Sequence, residues 1–216
     1  MVVFVGVNDS CPSRKGIPEL LAAWKIFSAK HSDVLLYMHT APRGNLHLGE
    51  RYGVDIPLIM QALQIPQDCV LFPDDFAYRT GIPQHALFMA IQAADWLVLP
   101  SRGEGFGVPL IEAQACGTPV ITTAFAAQNE LNFDGLQIQG EFEWSWQGST
   151  VLKPGIASIA EALEQAYYER GSSRYRERRE KVAASATEYA IDRVFDQYWL
   201  PLIESIGRSA LLSRKT

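Results

Sequence analysis

Short apolar segments alternate with amphipathic segments along most of the chain. The apolar segments are rich in β-branched and aromatic residues and end at glycine, proline or polar residues, which predicts strands at 1–7, 34–39, 69–72, 96–100 and 120–122. Between them, apolar residues recur every three or four positions, which predicts helices at 18–27, 55–63, 83–94 and 109–116. The alternation predicts an α/β fold, a Rossmann-like parallel sheet with helices on both faces.

The pattern changes after the last predicted strand. The segment 133–149 contains three glycines together with Phe142, Trp144 and Trp146 and lacks helical periodicity, so we expect an ordered excursion, such as a hairpin, at the edge of the sheet. Further helices are predicted at 156–170, 174–188 and 191–206. The last of these carries many large apolar side chains, namely Phe195, Tyr198, Trp199, Leu202 and Ile203. We therefore expect it to dock on another surface.

The composition restricts the class of protein. A chain of 216 residues that is 48% hydrophobic can form one domain with a full core, or one domain and an appendage. The net charge of -5 argues against nucleic-acid binding, which needs a basic surface. Three cysteines without metal-type spacing argue against a disulfide framework, which favours a cytoplasmic location. No apolar run reaches the roughly 18 residues of a membrane span, so we expect at most peripheral membrane contact.

Two glutamates frame a glycine-rich loop between the strand at 96–100 and the helix that Pro109 opens. Glu104 lies in the loop and Glu112 lies eight positions later, in what we expect to be the first turn of the helix. Both carboxylates are expected to face one cleft, where they would accept hydrogen bonds from the hydroxyls of a sugar or ribose. Gly105 and Gly107 would let the backbone approach the ligand. The alternative is a solvated loop acid beside a glutamate that the helix dipole favours.

Arg14 and Lys15 follow the first predicted strand. The carboxyl ends of parallel strands meet at one edge of a sheet, so these cations are expected at the same edge as Glu104. Together they could neutralise a diphosphate, with arginine giving directional contacts and lysine a point charge. The alternative is an ordinary basic pair in a surface loop. The loop is neither a P-loop nor a dinucleotide-binding glycine motif, so ATPase and dehydrogenase functions lack their fingerprints.

The segment 104–112, EGFGVPLIE, followed by AQACGTPV, resembles the E-x7-E signature of retaining GT-B glycosyltransferases of the glycosyl transferase group 1 type. The similarity extends to the first strand and K-G loop at 4–21, to the strand at 94–101 and to the acid at 130–131. It covers the donor-binding, C-terminal half of a GT-B enzyme. Two departures stand out: Val7-Asn8 replaces a frequent arginine, and the segment 126–129 replaces the usual glycine pair.

The resemblance implies specific roles for these residues. Lys15 and Arg14 would contact the diphosphate, Glu104 and the backbone of 105–107 would hold the donor sugar, and Glu112 would accept from the ribose. The nucleobase would lie near the loop after the third predicted strand. The implied donor-binding residues are completed by Phe106, Val108, Asn8, Pro73, Asp74 and Phe76.

The implied reaction is the transfer of a hexose from a UDP-, GDP- or ADP-sugar to an unknown acceptor, with retention of configuration and without a metal or other cofactor. Residues 1–190 would form the nucleotide-sugar-binding domain, and residues 191–216 a helix and tail that dock on an N-terminal acceptor-binding domain. That domain would belong to the same protein or to a separate chain. The alternative is a non-catalytic module that binds a nucleotide sugar or a partner protein.

Overall fold

A six-stranded parallel sheet forms the centre of the protein. The computed structural model describes residues 1–47, 50–145 and 147–213. Trp146 of the predicted excursion and the last residues of the predicted tail therefore lie outside the described residues. The strands of the sheet are β1 (Val2–Val5), β2 (Leu36–His39), β5 (Val70–Leu71), β6 (Trp96–Leu99), β7 (Val120–Thr123) and β8 (Leu136–Ile138). They lie in the order β5-β2-β1-β6-β7-β8, and all neighbouring pairs are parallel.

The three central strands are buried on both faces of the sheet. Every residue of β1, β6 and β7 is buried, and successive residues of a strand point to opposite faces. Continuous apolar runs such as Trp96–Leu99 therefore meet helices on both sides, as expected of a parallel sheet. The Rossmann-like α/β fold predicted from the alternating pattern is confirmed.

The helices that flank the sheet form two groups. One group consists of α1, α2 and α7, in which α1 packs against the other two; the other consists of α4, α5 and α8, in which α5 packs against α4 and α8. Two shorter helices, α3 and α6, follow β5 and β7. The bounds are α1 (Ile17–Ser28), α2 (Ile56–Leu63), α3 (Asp75–Thr80), α4 (Gln84–Ala93), α5 (Val108–Ala115), α6 (Ala126–Glu130), α7 (Ile156–Glu169) and α8 (Ser173–Ala186).

Short strands account for most differences from the sequence-based expectation. Two form an antiparallel hairpin of β3 (Asn45–His47) and β4 (Glu50–Tyr52), a segment that showed no clear alternation. The excursion predicted at 133–149 divides into β8, which pairs with β7 as the last strand of the main sheet, and the start of a second hairpin. That hairpin, β9 (Gly140–Trp144) with β10 (Thr150–Pro154), forms a separate two-stranded sheet.

The C-terminal segment leaves its apolar side chains exposed. It consists of α9 (Ile191–Val194), a π-helical turn (Phe195–Trp199) and α10 (Leu200–Ser213). Side chains that are about half exposed or more include Ile191, Phe195, Tyr198, Trp199, Leu202, Ile203 and Ile206. Packing within the described residues therefore leaves this face uncovered, and the predicted boundary at residue 190 stays a prediction.

Gly16 allows the loop after β1 to touch the loop after β6. Its backbone is left-handed, with φ of 65°, and it immediately precedes α1. A Cβ at this position would overlap the carbonyl oxygen of Pro100, which follows β6. Only glycine satisfies both conditions at low cost.

We expect Gly16→Ala to lower the free energy of unfolding by at least about 2 kcal/mol, because it adds backbone strain and a collision with backbone. Chemical denaturation measures this effect. Gly105→Ala is the matched control, since a Cβ there would meet no atom within 4 Å. Equal stability of the two variants would contradict the role assigned to Gly16.

Candidate functional site

The order of the strands reverses at the centre of the sheet, between β1 and β6. From β1 the chain proceeds outward through β2 to β5, and it then returns to β6 and proceeds in the opposite direction through β7 to β8. This reversal of strand order creates a crevice at the carboxyl ends of β1 and β6, where ligands bind in open α/β sheets. Arg14 and Lys15 lie in the first loop and Glu104 lies in the second.

Arg14, Lys15 and Glu104 form one ion-pair cluster in this crevice. The Nζ atom of Lys15 lies 2.6 Å from Oε1 of Glu104, and Nη1 of Arg14 lies 3.0 Å from Oε2. Arg14 also donates to the carbonyl of Gly103 at 3.2 Å. The side chains of Lys15 and Glu104 are buried, with exposures of 9% and 8%, whereas that of Arg14 is 47% exposed. The cluster thus holds two cations and one anion, with Arg14 at the solvent side.

The cluster keeps Glu104 ionised. Burial alone would raise the pKa of Glu104, but the hydrogen bond from Lys15 and the charges of Lys15 and Arg14 outweigh it and hold the pKa below its ordinary value. Because the pKa of Glu104 is lowered in the folded protein, the cluster stabilises the fold fully at pH values above the ordinary carboxyl pKa. That contribution is lost as the pH falls through the lowered value.

Glu112 lies in a different environment from Glu104. It lines a cleft of about 1180 Å³ between α5, the end of α8 and α9, whereas Arg14, Lys15 and Glu104 do not line this cleft. The expectation that both carboxylates face one cleft therefore stays a prediction. Burial raises the pKa of Glu112, and within the described part of the chain no hydrogen bond or ion pair engages its carboxylate.

The start of α5 also differs from the prediction. Gly107, with φ of 97°, precedes the helix, so Val108 is its first residue and Pro109 its second. Glu112 is consequently the fifth residue, beyond the first turn, and a favourable interaction with the helix dipole does not explain it. Phe106 and Val108 are half exposed and line the cleft that contains Glu112, while a Cβ on Gly105 would point into open space.

Asn8 has a structural role. Its side-chain amide donates to the carbonyls of Ala41 at 3.1 Å and Val54 at 2.7 Å, and its oxygen accepts from the backbone amide of Val54 at 2.8 Å. Asn8 is buried, and these bonds use both donor hydrogens and the acceptor. The side chain therefore fastens the loop after β1 to the segment before α2, and a donor contact by Asn8 stays a prediction.

The predicted nucleobase residues lie in the loop after β5 and the start of α3. The carboxylate of Asp74 accepts from the backbone amide of Ala77 at 2.9 Å and caps α3, so its side chain is already used. Phe76 is exposed and Pro73 is partly buried. A cavity of about 520 Å³ lies nearby, but none of these three residues lines it; its lining residues include Arg43, Phe72, Asp75 and Arg79.

Arg102 joins the elements around the site, although its sequence position gave no sign of this. Its guanidinium donates to Glu19 of α1 at 2.8 Å and to Glu143 of β9 at 2.6 Å. Its backbone amide donates to the carbonyl of Arg14 at 2.8 Å, and its carbonyl accepts from Leu152 at 2.9 Å. Arg102 therefore holds both site loops, α1 and the second hairpin together. Its partners lie tens of residues away, where no helical or strand spacing could indicate them.

The described residues contain neither a candidate metal site nor a candidate membrane span. No group of three histidine, cysteine or acidic side chains in that part of the chain could hold a metal ion. No helix there is long and apolar enough to cross a bilayer. Metal independence and a cytoplasmic location stay predictions.

Comparison with known proteins shows the family. The family model described as glycosyl transferases group 1 matches residues 1–167, well over half of the chain. The chain belongs to this family. A D-inositol 3-phosphate glycosyltransferase of Jonesia denitrificans is 33% identical over 103 residues, which are 40% of this chain and 23% of that protein. A protein of the same name from Frankia alni is 44% identical over 59 residues, which are 27% of this chain and 14% of that protein. The matches thus span less than a quarter of these relatives.

Solved structures show the same fold at low sequence identity. Sucrose-phosphate synthase from Thermosynechococcus elongatus superposes with a TM-score of 0.66 at 24% identity, covering 94% of this chain and 46% of that one. The C-terminal domain of a glycosyl transferase group 1 family protein from Francisella tularensis superposes with a TM-score of 0.57 at 19% identity, covering 91% and 85%. The fold is thus one Rossmann-like half of the GT-B architecture, as the resemblance implied.

We expect Arg102→Met to lower the free energy of unfolding by about 3 kcal/mol, because Glu19, whose side chain is 10% exposed, would lose its counter-charge. Urea denaturation measures the change. Arg79→Met is the control, since Arg79 forms an exposed pair with Asp75 one helical turn away. This substitution should lower the free energy of unfolding by less than about 0.5 kcal/mol. Similar losses in both variants would contradict a central role for Arg102.

Proposed function

We propose that this chain provides the nucleotide-sugar donor site of a retaining, metal-independent glycosyltransferase that transfers a hexose to an acceptor not yet identified. The observation that carries the proposal is the cluster of Arg14, Lys15 and Glu104 at the strand-order reversal between β1 and β6. Membership of the family supports the reaction class. The relatives' name points to an inositol phosphate acceptor for them, but the short overlap does not extend that acceptor to this chain.

Charge and geometry support a diphosphate at Arg14 and Lys15. The cluster carries one net positive charge, and the diphosphate of a nucleotide sugar is an anion. The half-exposed guanidinium of Arg14 can direct paired hydrogen bonds to phosphate oxygens, while the ammonium of Lys15 acts as a point charge beneath it. During transfer the diphosphate becomes the leaving group, so these cations would stabilise the charge that develops on it. This gives a route to leaving-group stabilisation that does not need a metal.

The two glutamates suit hydroxyl groups rather than phosphates. An ionised carboxylate only accepts hydrogen bonds, and sugar and ribose hydroxyls are donors. Glu104 adjoins the cations and is suited to the sugar attached to the diphosphate. The carboxylate of Glu112 has no hydrogen-bond partner in the described part of the chain, and its burial costs free energy that a ribose would partly restore. Gly105 is exposed and leaves the backbone between the two glutamates accessible, whereas Gly107 is buried and forms the left-handed turn before α5.

The exposed face of the C-terminal segment supports docking on an acceptor-binding domain. An apolar surface that includes Ile191, Tyr198, Trp199 and Ile206 is larger than isolated exposed residues would explain. We propose that this face packs on the domain that holds the acceptor, in the same protein or in a separate chain.

The first test measures donor binding to the 216-residue chain by calorimetry with UDP-, GDP- and ADP-sugars. We expect one nucleotide sugar to bind at millimolar concentration or tighter, and Glu112→Gln to weaken it about tenfold by removing a charged hydrogen bond. The same variant should unfold at a higher temperature than the wild type at pH 7, because the raised pKa of Glu112 means that its charged form destabilises the fold. This gain should vanish at a pH below the ordinary carboxyl pKa.

Glu141→Gln is the matched control for this experiment, since Glu141 is exposed on β9 and losing its charge should change neither quantity. Binding of no nucleotide sugar at millimolar concentration would refute the donor site. Equal affinity of Glu112→Gln and the wild type would remove Glu112 from it.

The second test asks whether donor binding leads to transfer. We expect an acceptor-binding domain from the same family, added as a separate chain or by fusion, to produce transfer or hydrolysis of the bound nucleotide sugar. Trp199→Ser should reduce this activity at limiting domain concentration by weakening docking, while donor affinity stays unchanged. Tight donor binding with no reaction in any such combination would favour a non-catalytic binding module.

A further inference from the structure

The carboxylate of Glu104 uses the same cations that the proposed donor site offers to a diphosphate. Both of its oxygens are engaged, one by Lys15 at 2.6 Å and the other by Arg14 at 3.0 Å. A phosphate that contacts Lys15 must therefore either displace Glu104 or share the ammonium with it. With ordinary N–H···O distances of about 2.8 Å, sharing places phosphate and carboxylate oxygens within about 5.6 Å of each other. Two anions are then held close together in a partly buried site.

We propose, on the basis of the donor site described above, that Glu104 discriminates against the free nucleoside diphosphate, the product of transfer, by competing with it for Arg14 and Lys15. The chemistry of the two ligands carries this step. In a nucleotide sugar the second phosphate is esterified and bears one negative charge. In the free diphosphate this terminal phosphate bears about -1.5 to -2 at neutral pH. The product therefore brings more negative charge to Glu104 than the donor does.

The attached sugar strengthens the difference. When Arg14 and Lys15 bind the diphosphate, Glu104 loses hydrogen bonds from them. The hydroxyls of an intact donor sugar can replace these bonds by donating to Glu104. The free diphosphate brings no such donor, and its extra charge lies in a site where Glu104 is only 8% exposed and screening by water is weak. Glu104 thus favours binding of the donor and promotes release of the product, after which it pairs again with Lys15 and Arg14.

Calorimetry on the 216-residue chain tests this proposal with four ligands: a nucleotide sugar, the matching nucleoside diphosphate, the methyl ester of that diphosphate on its terminal phosphate, and inorganic pyrophosphate. The ester lacks both the extra charge and the sugar. We expect the wild type to bind the ester more tightly than the free diphosphate. In Glu104→Gln, which keeps the size and removes the charge, the free diphosphate and pyrophosphate should bind at least tenfold more tightly than in the wild type. Glu141→Gln should leave all affinities within twofold.

The outcomes separate this proposal from the donor site itself. Nucleotide-sugar binding with an unchanged preference in Glu104→Gln, or a wild type that prefers the free diphosphate to its ester, would overturn the discrimination and leave the donor site standing. Tighter pyrophosphate binding by Glu104→Gln without any nucleotide-sugar binding would support competition and overturn the donor site. If none of the four ligands bound the wild type or any variant, both the discrimination and the donor site would be overturned. The comparison of diphosphate and ester needs only the wild type, so it can overturn the proposal even if Glu104→Gln does not fold.

Discussion

The close approach of the loops after β1 and β6 is the constraint on which the site depends. Strands β1 and β6 are neighbours because the sheet reverses its order between them, and Gly16 lets the first loop meet the carbonyl of Pro100. The hydrogen bond from the amide of Arg102 to the carbonyl of Arg14 fastens the two loops directly. This contact brings Nζ of Lys15 to 2.6 Å from Oε1 of Glu104, although the two residues are 89 positions apart in the chain. Strand order and backbone contacts thus bring the charged residues of the cluster together, and their charges then form the ion pairs.

The two glutamates of one short segment show how strongly local environment decides chemical behaviour. Glu104 and Glu112 are both partly removed from water, yet the pKa of the first is lowered and that of the second is raised. The difference follows from the presence of Lys15 and Arg14 beside Glu104 and the lack of any ion pair at Glu112 in the described structure. Carboxyl groups whose pKa values are shifted by burial and by charged partners are common at functional sites.

Exposed apolar side chains occur in the C-terminal segment and in the second hairpin. The family model covers residues 1–167, while the exposed apolar residues of the C-terminal segment lie beyond that match. The second hairpin also carries exposed aromatic side chains, Phe142 and Trp144, and Arg102 ties it to the site loops. The second hairpin is therefore connected to the site loops through Arg102.

The sequence by itself determined the fold class, the family and most of the long elements. Continuous apolar runs such as Trp96–Leu99 predict buried parallel strands because both faces of such a strand are covered, and the segment 104–112 indicated the family that the comparisons confirm. Short elements escaped prediction, because three residues, as in Leu136–Ile138, are too few to show a period. Only the tertiary structure decided the partners of polar groups. Asn8 forms backbone bonds to Ala41 and Val54, and Arg102 bridges Glu19 and Glu143, because folding brings together residues whose spacing along the chain has no periodicity.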